Sequence, residues 1–253
     1  MTASHTISPA EGPDASQGQG LTWNEGDMPY STAFGDHFYC QTDGRLECGH
    51  VFLSGNGLPD RWTGSGTFRI GELGFGTGLN ACETWRQWRE TRTAGSALHL
   101  VSFELYPMQA KELDRALSRW PEIDAERKAL VALWPATPEG VVDITLDDQT
   151  RLTVFCGDAM QRLTASSLAF DAWFLDGFAP SRNPAMWSPE LMQAVFDHTV
   201  PGGSFATYAA AGFVRRNLAG TGFAVERRKG FAGKREMLCG IRPSDGLASL
   251  SGL

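Results

Sequence analysis

The run Ile70-Gly71-Glu72-Leu73-Gly74-Phe75-Gly76-Thr77-Gly78-Leu79-Asn80 constrains this chain more than any other stretch. An apolar strand that breaks into alternate glycines and resumes as a helix reads as a turn whose backbone approaches a ligand. Positions without a Cβ allow that approach and supply the positive φ angles of a sharp strand-to-helix turn. The spacing is Glu-x-Gly-x-Gly-x-Gly. A dinucleotide fingerprint requires Gly-x-Gly-x-x-Gly, and counted from Gly74 its last position falls on Leu79. An acid two residues before the first loop glycine instead suits S-adenosyl-L-methionine (SAM). That molecule has no pyrophosphate to seat, and its aminoacyl carboxylate can meet free amides at a helix start. Glu72, Gly74, Phe75, Gly76, Thr77, Gly78 and Asn80 are therefore the expected cofactor-binding residues of the loop.

Around this loop the pattern alternates strand and helix. Thr67 to Leu73 predicts a core strand, and Leu79, Cys82 and Trp85 mark one face of a helix from Gly78 to Arg89. Ala97 to Phe103 predicts a second strand ending on Glu104, where a carboxylate can accept hydrogen bonds from both ribose hydroxyls. Nicotinamide and SAM folds share that device, so Glu104 does not choose between them. A helix from Met108 to Arg119 follows, then a hairpin of Val141 to Leu146 and Arg151 to Phe155 leading into Gly157-Asp158-Ala159. Asp158 suits either an adenine amino group or a helix N-cap.

Phe170 to Leu175 is apolar almost throughout, as a strand buried on both faces of a parallel sheet must be. It delivers Asp176 to the carboxyl end, where ligands of such sheets bind, and Asp176 is the expected catalytic residue as well as a cofactor contact. A helix from Pro189 to His198, a strand from Gly202 to Tyr208 and a helix from Ala211 to Leu218 come next. A terminal hairpin of Gly222 to Lys229 and Arg235 to Ile241 closes the pattern. The expected fold is α/β: a doubly wound, mostly parallel sheet with an antiparallel terminal strand. It is preceded by an aromatic, turn-rich and β-rich extension over residues 21–66, with a hairpin turn expected at Asp43-Gly44. That extension either folds over the cofactor mouth or simply extends the structure. The domain proper is expected over 67–242, with a disordered tail at 1–20 and a second tail at 243–253.

Composition narrows the partners. A chain of 253 residues with 42% apolar content can bury one substantial core. No stretch approaches the ~20 apolar residues of a membrane span. Five scattered cysteines without a Cys-x-x-Cys pair point to a reducing cytoplasm, and neither they nor the dispersed histidines make a legible metal site. The net charge of −7 argues against a polyanionic partner, yet eight Lys or Arg residues stand against two acids between Phe213 and Arg242. A local basic face can steer a nucleic acid where total charge does not; a solvated charged hairpin explains the same residues.

Three groups of motifs, in order, resemble one family. They are the Gly71-to-Asn80 loop; Phe174-Leu175-Asp176-Gly177-Phe178-Ala179-Pro180 with Asn183-Pro184 and Met186-Trp187; and Gly212-Phe213-Val214-Arg215-Arg216 with Lys229-Gly230-Phe231 and Lys234-Arg235-Glu236-Met237. From about Trp23 to Ile241 the chain is similar to the methyltransferase domain of the bacterial enzyme that makes 5-methylaminomethyl-2-thiouridine in tRNA. The resemblance implies a Rossmann-like fold and transfer of a methyl group from SAM to the exocyclic amine of 5-aminomethyl-(2-thio)uridine at the wobble position. It also implies that Phe178, Asn183, Met186, Trp187 and Phe231 meet the extruded base or its surroundings, Met186 serving equally well as packing. Arg182, Arg215, Arg216, Lys229, Lys234 and Arg235 would hold anticodon-stem phosphates. In many members a flavin-dependent oxidoreductase domain makes the amine; here a separate partner would supply it, or that domain lies outside this chain. Leu105 stands where the family often has Lys, and Ser181-Arg182 replaces a common Ala-Lys; neither removes a group the chemistry needs. The alternatives are a methyltransferase acting on a protein or small-molecule amine, and a silent tRNA-binding subunit of a flavin oxidase.

Overall fold

The computed structural model describes residues 20–64 and 66–244. The two expected tails lie outside the described residues apart from Gly20, Pro243 and Ser244. Gly20 is already part of the fold, since its carbonyl accepts the Thr32 amide at 3.2 Å.

The chain begins with a small antiparallel sheet of β1 (Leu21–Asn24), β2 (Met28–Ser31) and β3 (Asp36–His37). The hairpin expected at Asp43-Gly44 does not form. Asp43 is an N-cap instead, its carboxylate accepting the Leu46 amide at 3.0 Å and opening α1 (Gly44–Glu47). That helix runs into a π-helical turn, Cys48–Leu53. Cys48, Val51, Phe52 and Leu53 recur at helical spacing and are buried against the main sheet, and this burial overrides the turn propensity of Asp-Gly. The extension is thus β-rich only in its first part.

The main sheet is built from β4 (Gly66–Leu73), β5 (Ser96–Glu104), β6 (Val141–Asp147), β7 (Thr150–Cys156), β8 (Phe170–Leu175), β9 (Thr199–Thr207), β10 (Ala224–Lys229) and β11 (Glu236–Ile241). Their spatial order is β10-β11-β9-β8-β4-β5-β7-β6. The five central strands are parallel, and antiparallel hairpins form both edges, so the mostly parallel, doubly wound reading holds. Between these strands run α2 (Leu79–Thr91), α3 (Ala110–Leu117), α4 (Asp124–Leu133), α5 (Ala159–Thr164), α6 (Pro189–Asp197) and α7 (Gly212–Gly220). One core packs α2, α3, α4 and the π-helical turn on one face; the other packs α5, α6 and α7 on the opposite face. α4 was not legible as a helix, because Trp120-Pro121 and Trp134-Pro135 punctuate its flanks.

β8 shows why an all-apolar strand is needed at the centre. Ala172 and Phe174 enter one core, while Phe170, Trp173 and Leu175 enter the other. Beside it in β4, Gly71 pairs with Trp173 and leaves room for the indole, since a Cβ there would lie 2.5 Å from that ring. The chain leaves β4 toward β5 and β7, then returns to β8 on the other side. Strand order therefore reverses between β4 and β8, and ligands of open α/β sheets bind above such a switch point.

Candidate active site

The carboxyl ends of β4, β5, β7, β8 and β9 open into one cavity of about 710 Å³, within the range of small-molecule sites. β4 presents Gly74 and Gly76, β5 Glu104, β7 Gly157 and Asp158, β8 Asp176, and β9 Tyr208. The extension supplies the facing wall through Phe34, Asp36, Phe38 and Glu47. It walls the cavity and also packs into the core.

Of the expected cofactor residues, Gly74, Gly76, Glu104, Asp158 and Asp176 line the cavity; Glu72, Phe75, Thr77, Gly78 and Asn80 do not. The reason lies in how the loop is anchored. The Phe75 ring turns inward and stacks on Trp134 with centroids 5.0 Å apart and planes within 3°. Thr77 is buried, and Gly78, with φ of 75°, caps α2 against the Phe75 ring. What remains facing the cavity is loop backbone, held by Glu104: one carboxylate oxygen accepts the Gly76 amide at 2.8 Å and the other accepts the Tyr106 amide at 2.8 Å. Burial pushes the Glu104 carboxyl up, against the pull of these amides and those of Phe75 and Leu105.

Glu72 and Asn80 form a layer beneath the cavity. The Asn80 amide donates to Glu72 at 3.0 Å and to Asp176 at 2.6 Å, and Ser102 donates to the second Glu72 oxygen. One side-chain amide thus ties the catalytic candidate to a buried acid. Burial pushes the Asp176 carboxyl well up, reinforced by Glu72 and Glu47, while Asn80 and Lys234 pull it down. Burial also pushes Glu72 up to about 7, against its bonds from Ser102 and Asn80. The two acids share one hydrogen-bond donor.

The Glu72 shift carries a stability prediction. A carboxyl with a folded value near 7 against an ordinary 4.5 binds its proton more tightly when folded. The stability this confers is complete below the unfolded value and is lost as pH rises through the folded one. The ligand-free wild type should therefore lose roughly 3 kcal/mol relative to Glu72→Gln between about pH 4.5 and about pH 8. Denaturant melts of both proteins check this. The comparison cancels His99, whose neutral burial lowers its value to about 4 and acts in the opposite sense. A constant difference across the range would remove Glu72 as the titrating group.

The expected substrate residues divide. Phe178, Asn183 and Met186 line the cavity, and Phe178 stacks on Phe34 at 4.6 Å with Phe38 edge-on at 5.1 Å. Trp187 is a correction: it is 1% exposed, its indole N–H donates to the Phe178 carbonyl at 3.0 Å, and it cannot stack on a ligand. Lys234 is another, because its ammonium turns into the cavity onto Glu47 at 2.7 Å rather than outward to a phosphate. Phe231 packs against the core beside His50 and is off the wall. Arg182, Arg216, Lys229 and Arg235 are exposed and Arg215 is half-buried; none has an ion pair among the described residues. α7 is tied to the site loop where Asn217 donates to the Trp187 carbonyl at 2.8 Å. Asp158 serves as an N-cap, accepting the Gln161 amide at 2.8 Å, and still lines the cavity.

Sequence reasoning did not single out Asp36, Glu47 and Tyr208. Tyr208 follows directly on β9 and was open to the same strand-end argument as Asp176. Asp36 and Glu47 carried no signal, since nothing local says that the extension folds back over the sheet. Five carboxylates, from Asp36, Glu47, Glu104, Asp158 and Asp176, face one ammonium, from Lys234, among the described residues of the wall. Such a cavity suits a cationic ligand and disfavours the pyrophosphate of a dinucleotide.

The family described as S-adenosyl-L-methionine-dependent methyltransferase matches residues 121–243. The tRNA 5-methylaminomethyl-2-thiouridine biosynthesis bifunctional protein MnmC of Chromohalobacter salexigens is 44% identical over 226 residues, 87% of this chain and 32% of that protein. The chain belongs to this methyltransferase family. The protein of the same name from Maricaulis maris is 40% identical over 226 residues, 89% of this chain and 39% of its own length. The methyltransferase chain thus spans about a third of the length of the curated relatives it matches. Among solved structures, MnmC2 from Aquifex aeolicus superposes with a TM-score of 0.72 at 19% identity, covering 90% of this chain and 71% of that one. That likeness concerns the fold. SAM carries a sulfonium and an ammonium against one carboxylate, so the acid-rich wall and the close loop backbone of this methyltransferase fit it. No described helix is long and apolar enough to cross a membrane.

Proposed function

We propose that the chain methylates the exocyclic amine of 5-aminomethyl-(2-thio)uridine at the wobble position of tRNA, with SAM as donor. The observation that carries this reading is the placement of Asp176. It stands at the switch point between the glycine loop, on the donor side, and the Phe34–Phe178–Met186 wall, on the acceptor side. The sequence likeness to proteins named for this modification supports it. An enzyme acting on a base takes it out of its stack, and a wall of aromatic rings and a thioether can receive it.

In this reading Gly74, Gly76, Glu104 and Asp158 hold the donor, and Asp176 faces its reactive end. SAM bound there supplies an electrophilic methyl group on a sulfonium. Transfer to the amine would join its lone pair to that methyl carbon and leave the electron pair of the C–S bond on sulfur as a thioether. Asp176 accepts a hydrogen bond from the amine, aims the lone pair and takes the proton that the product releases. An adjacent cation favours the charged form of Asp176 and offsets its burial. Arg182, Arg215, Arg216, Lys229 and Arg235 offer unpaired charge to anticodon-stem phosphates. A flavin-dependent oxidoreductase belongs to the same proposal as the source of the amine.

Mass spectrometry of wobble nucleosides tests the reading, using aminomethyl-bearing tRNA incubated with the protein and SAM. The expected result is a 14-dalton gain confined to the 5-aminomethyl nucleoside, the mass of one CH₂, as methyl transfer requires. SAM binding without that product, but with methylation of free amines, would move the function to a small-molecule methyltransferase. No SAM binding would leave a silent tRNA-binding subunit.

A further inference from the structure

Lys234 is the one cationic side chain among the described residues of the cavity wall, and its position is closely fixed. Its ammonium lies 2.7 Å from the Glu47 carboxylate and 4.3 Å from the centre of the Tyr208 ring. The Tyr208 hydroxyl donates to the carbonyl of Gly177, next to Asp176, at 2.6 Å. The hairpin tip that carries Lys234 is closed by its own amide donating to the Phe231 carbonyl at 2.9 Å. At Gly230 a Cβ would lie 2.5 Å from the Lys234 carbonyl. The root of the hairpin is pinned to the π-helical turn, where the His50 ring meets the Lys229 carbonyl at 2.8 Å. Several contacts thus set one ammonium on the wall that the catalytic carboxylate shares. The Glu47 side chain is 9% exposed and that of Lys234 is 41% exposed. A half-exposed pair of this kind adds little to stability, so its placement calls for another explanation.

We propose that Glu47 and Lys234 form a positioning pair that sets the protonation state of the substrate amine: Lys234 holds a fixed positive charge on the cavity wall it shares with Asp176, and Glu47 limits its strength. The proposal rests on the methyl transfer put forward above and names how that site handles its proton. An alkylamine in water is protonated up to a pKa of ~10, and a cavity lined by carboxylates holds it in that unreactive state more firmly still. A neighbouring like charge disfavours the ammonium and favours ionised Asp176. The charged and titratable groups facing Lys234 are Glu47 from α1, Asp36 from β3, Asp176 at the end of β8 with Glu72 behind it, and Tyr208 after β9.

The experiment compares Lys234→Gln, Glu47→Gln and Lys234→Arg, measuring the acidic limb of the pH–rate profile and SAM affinity by calorimetry. Removing the cation should move the limb to higher pH by roughly half to one unit and leave SAM binding unchanged or a few-fold tighter. Removing the anion should move the limb to lower pH by a similar amount and weaken SAM binding a few-fold. Lys234→Arg should stay near wild type. Both Gln variants break the same ion pair, so a purely structural role would move both in one direction. Shifts of the same sign, or none, in a protein whose wild type turns over would overturn the pair's role. Absence of transfer by the wild type would instead overturn the proposed function, and SAM binding weakened in Glu47→Gln but not in Lys234→Gln would still report the pair's field.

Discussion

Asp176→Asn should bind SAM within about tenfold of wild type and lose between about 10² and 10⁴ of its turnover, the range that positioned acid–base groups contribute. Retention of binding follows from the hydrogen bonds around the residue. Its amide donates to the Leu73 carbonyl at 3.2 Å, which no side-chain change touches. Its carboxylate accepts from Asn80 at 2.6 Å, and the oxygen of an Asn side chain can accept the same bond. Burial beside Glu72 and Glu47 already holds the Asp176 carboxyl toward its neutral form when no donor is bound, Lys234 notwithstanding. The Asn variant therefore resembles the resting site in charge and shape. What it lacks is the anion that forms when a cation enters, the group that aims the amine and takes its proton. The cost should thus appear in the rate of the chemical step, read by single-turnover methylation, with the calorimetric SAM affinity as the control. Unchanged single-turnover rates would remove Asp176 from the chemistry.

The contrast between residues that were legible and those that were not has a single physical origin. Gly74, Glu104 and Asp176 were readable because strand periodicity locates strand ends, and the topology of a doubly wound sheet places strand ends at the ligand. Neither step needs a side-chain direction. Phe75 and Trp187 lie one or two residues from true wall positions and turn into the core, a choice made by Trp134 in one case and by the Phe178 carbonyl in the other. Lys234 lies between the exposed Lys229 and Arg235, and only the long-range approach of Glu47, far away in sequence, turns it inward. Asp43 shows the same limit at the level of an element. Asp-Gly favours a turn locally, while the buried face of Cys48, Val51, Phe52 and Leu53 makes the segment helical. Contacts close in sequence were thus open to pattern; contacts made by the extension folding back over the sheet were not.

Gly74→Ala tests the close approach on which the site depends. Gly74 has φ of 93°, and a Cβ built on it would lie 2.4 Å from the backbone carbonyl oxygen of Asp176. The Gly74 amide is itself tied to the Phe103 carbonyl at 2.9 Å, so the loop cannot withdraw without losing that bond. Relief must come from parting the ends of β4 and β8, which carries Asp176 away from the loop. Gly95→Ala is the control for backbone strain alone, because Gly95 has φ of 81° but nothing within 4 Å of its Cβ position. Gly95→Ala should cost about 1 kcal/mol and leave SAM binding intact. Gly74→Ala should cost roughly 3 kcal/mol, strain and overlap together, and weaken SAM binding at least tenfold. Denaturant melts give the first quantity for each variant and calorimetry the second. Equal destabilisation by the two, with SAM affinity preserved in both, would mean that the donor does not sit in the angle between β4 and β8. A selective loss in Gly74→Ala places it there, since the two substitutions share the same backbone penalty and differ only in what the added methyl group meets.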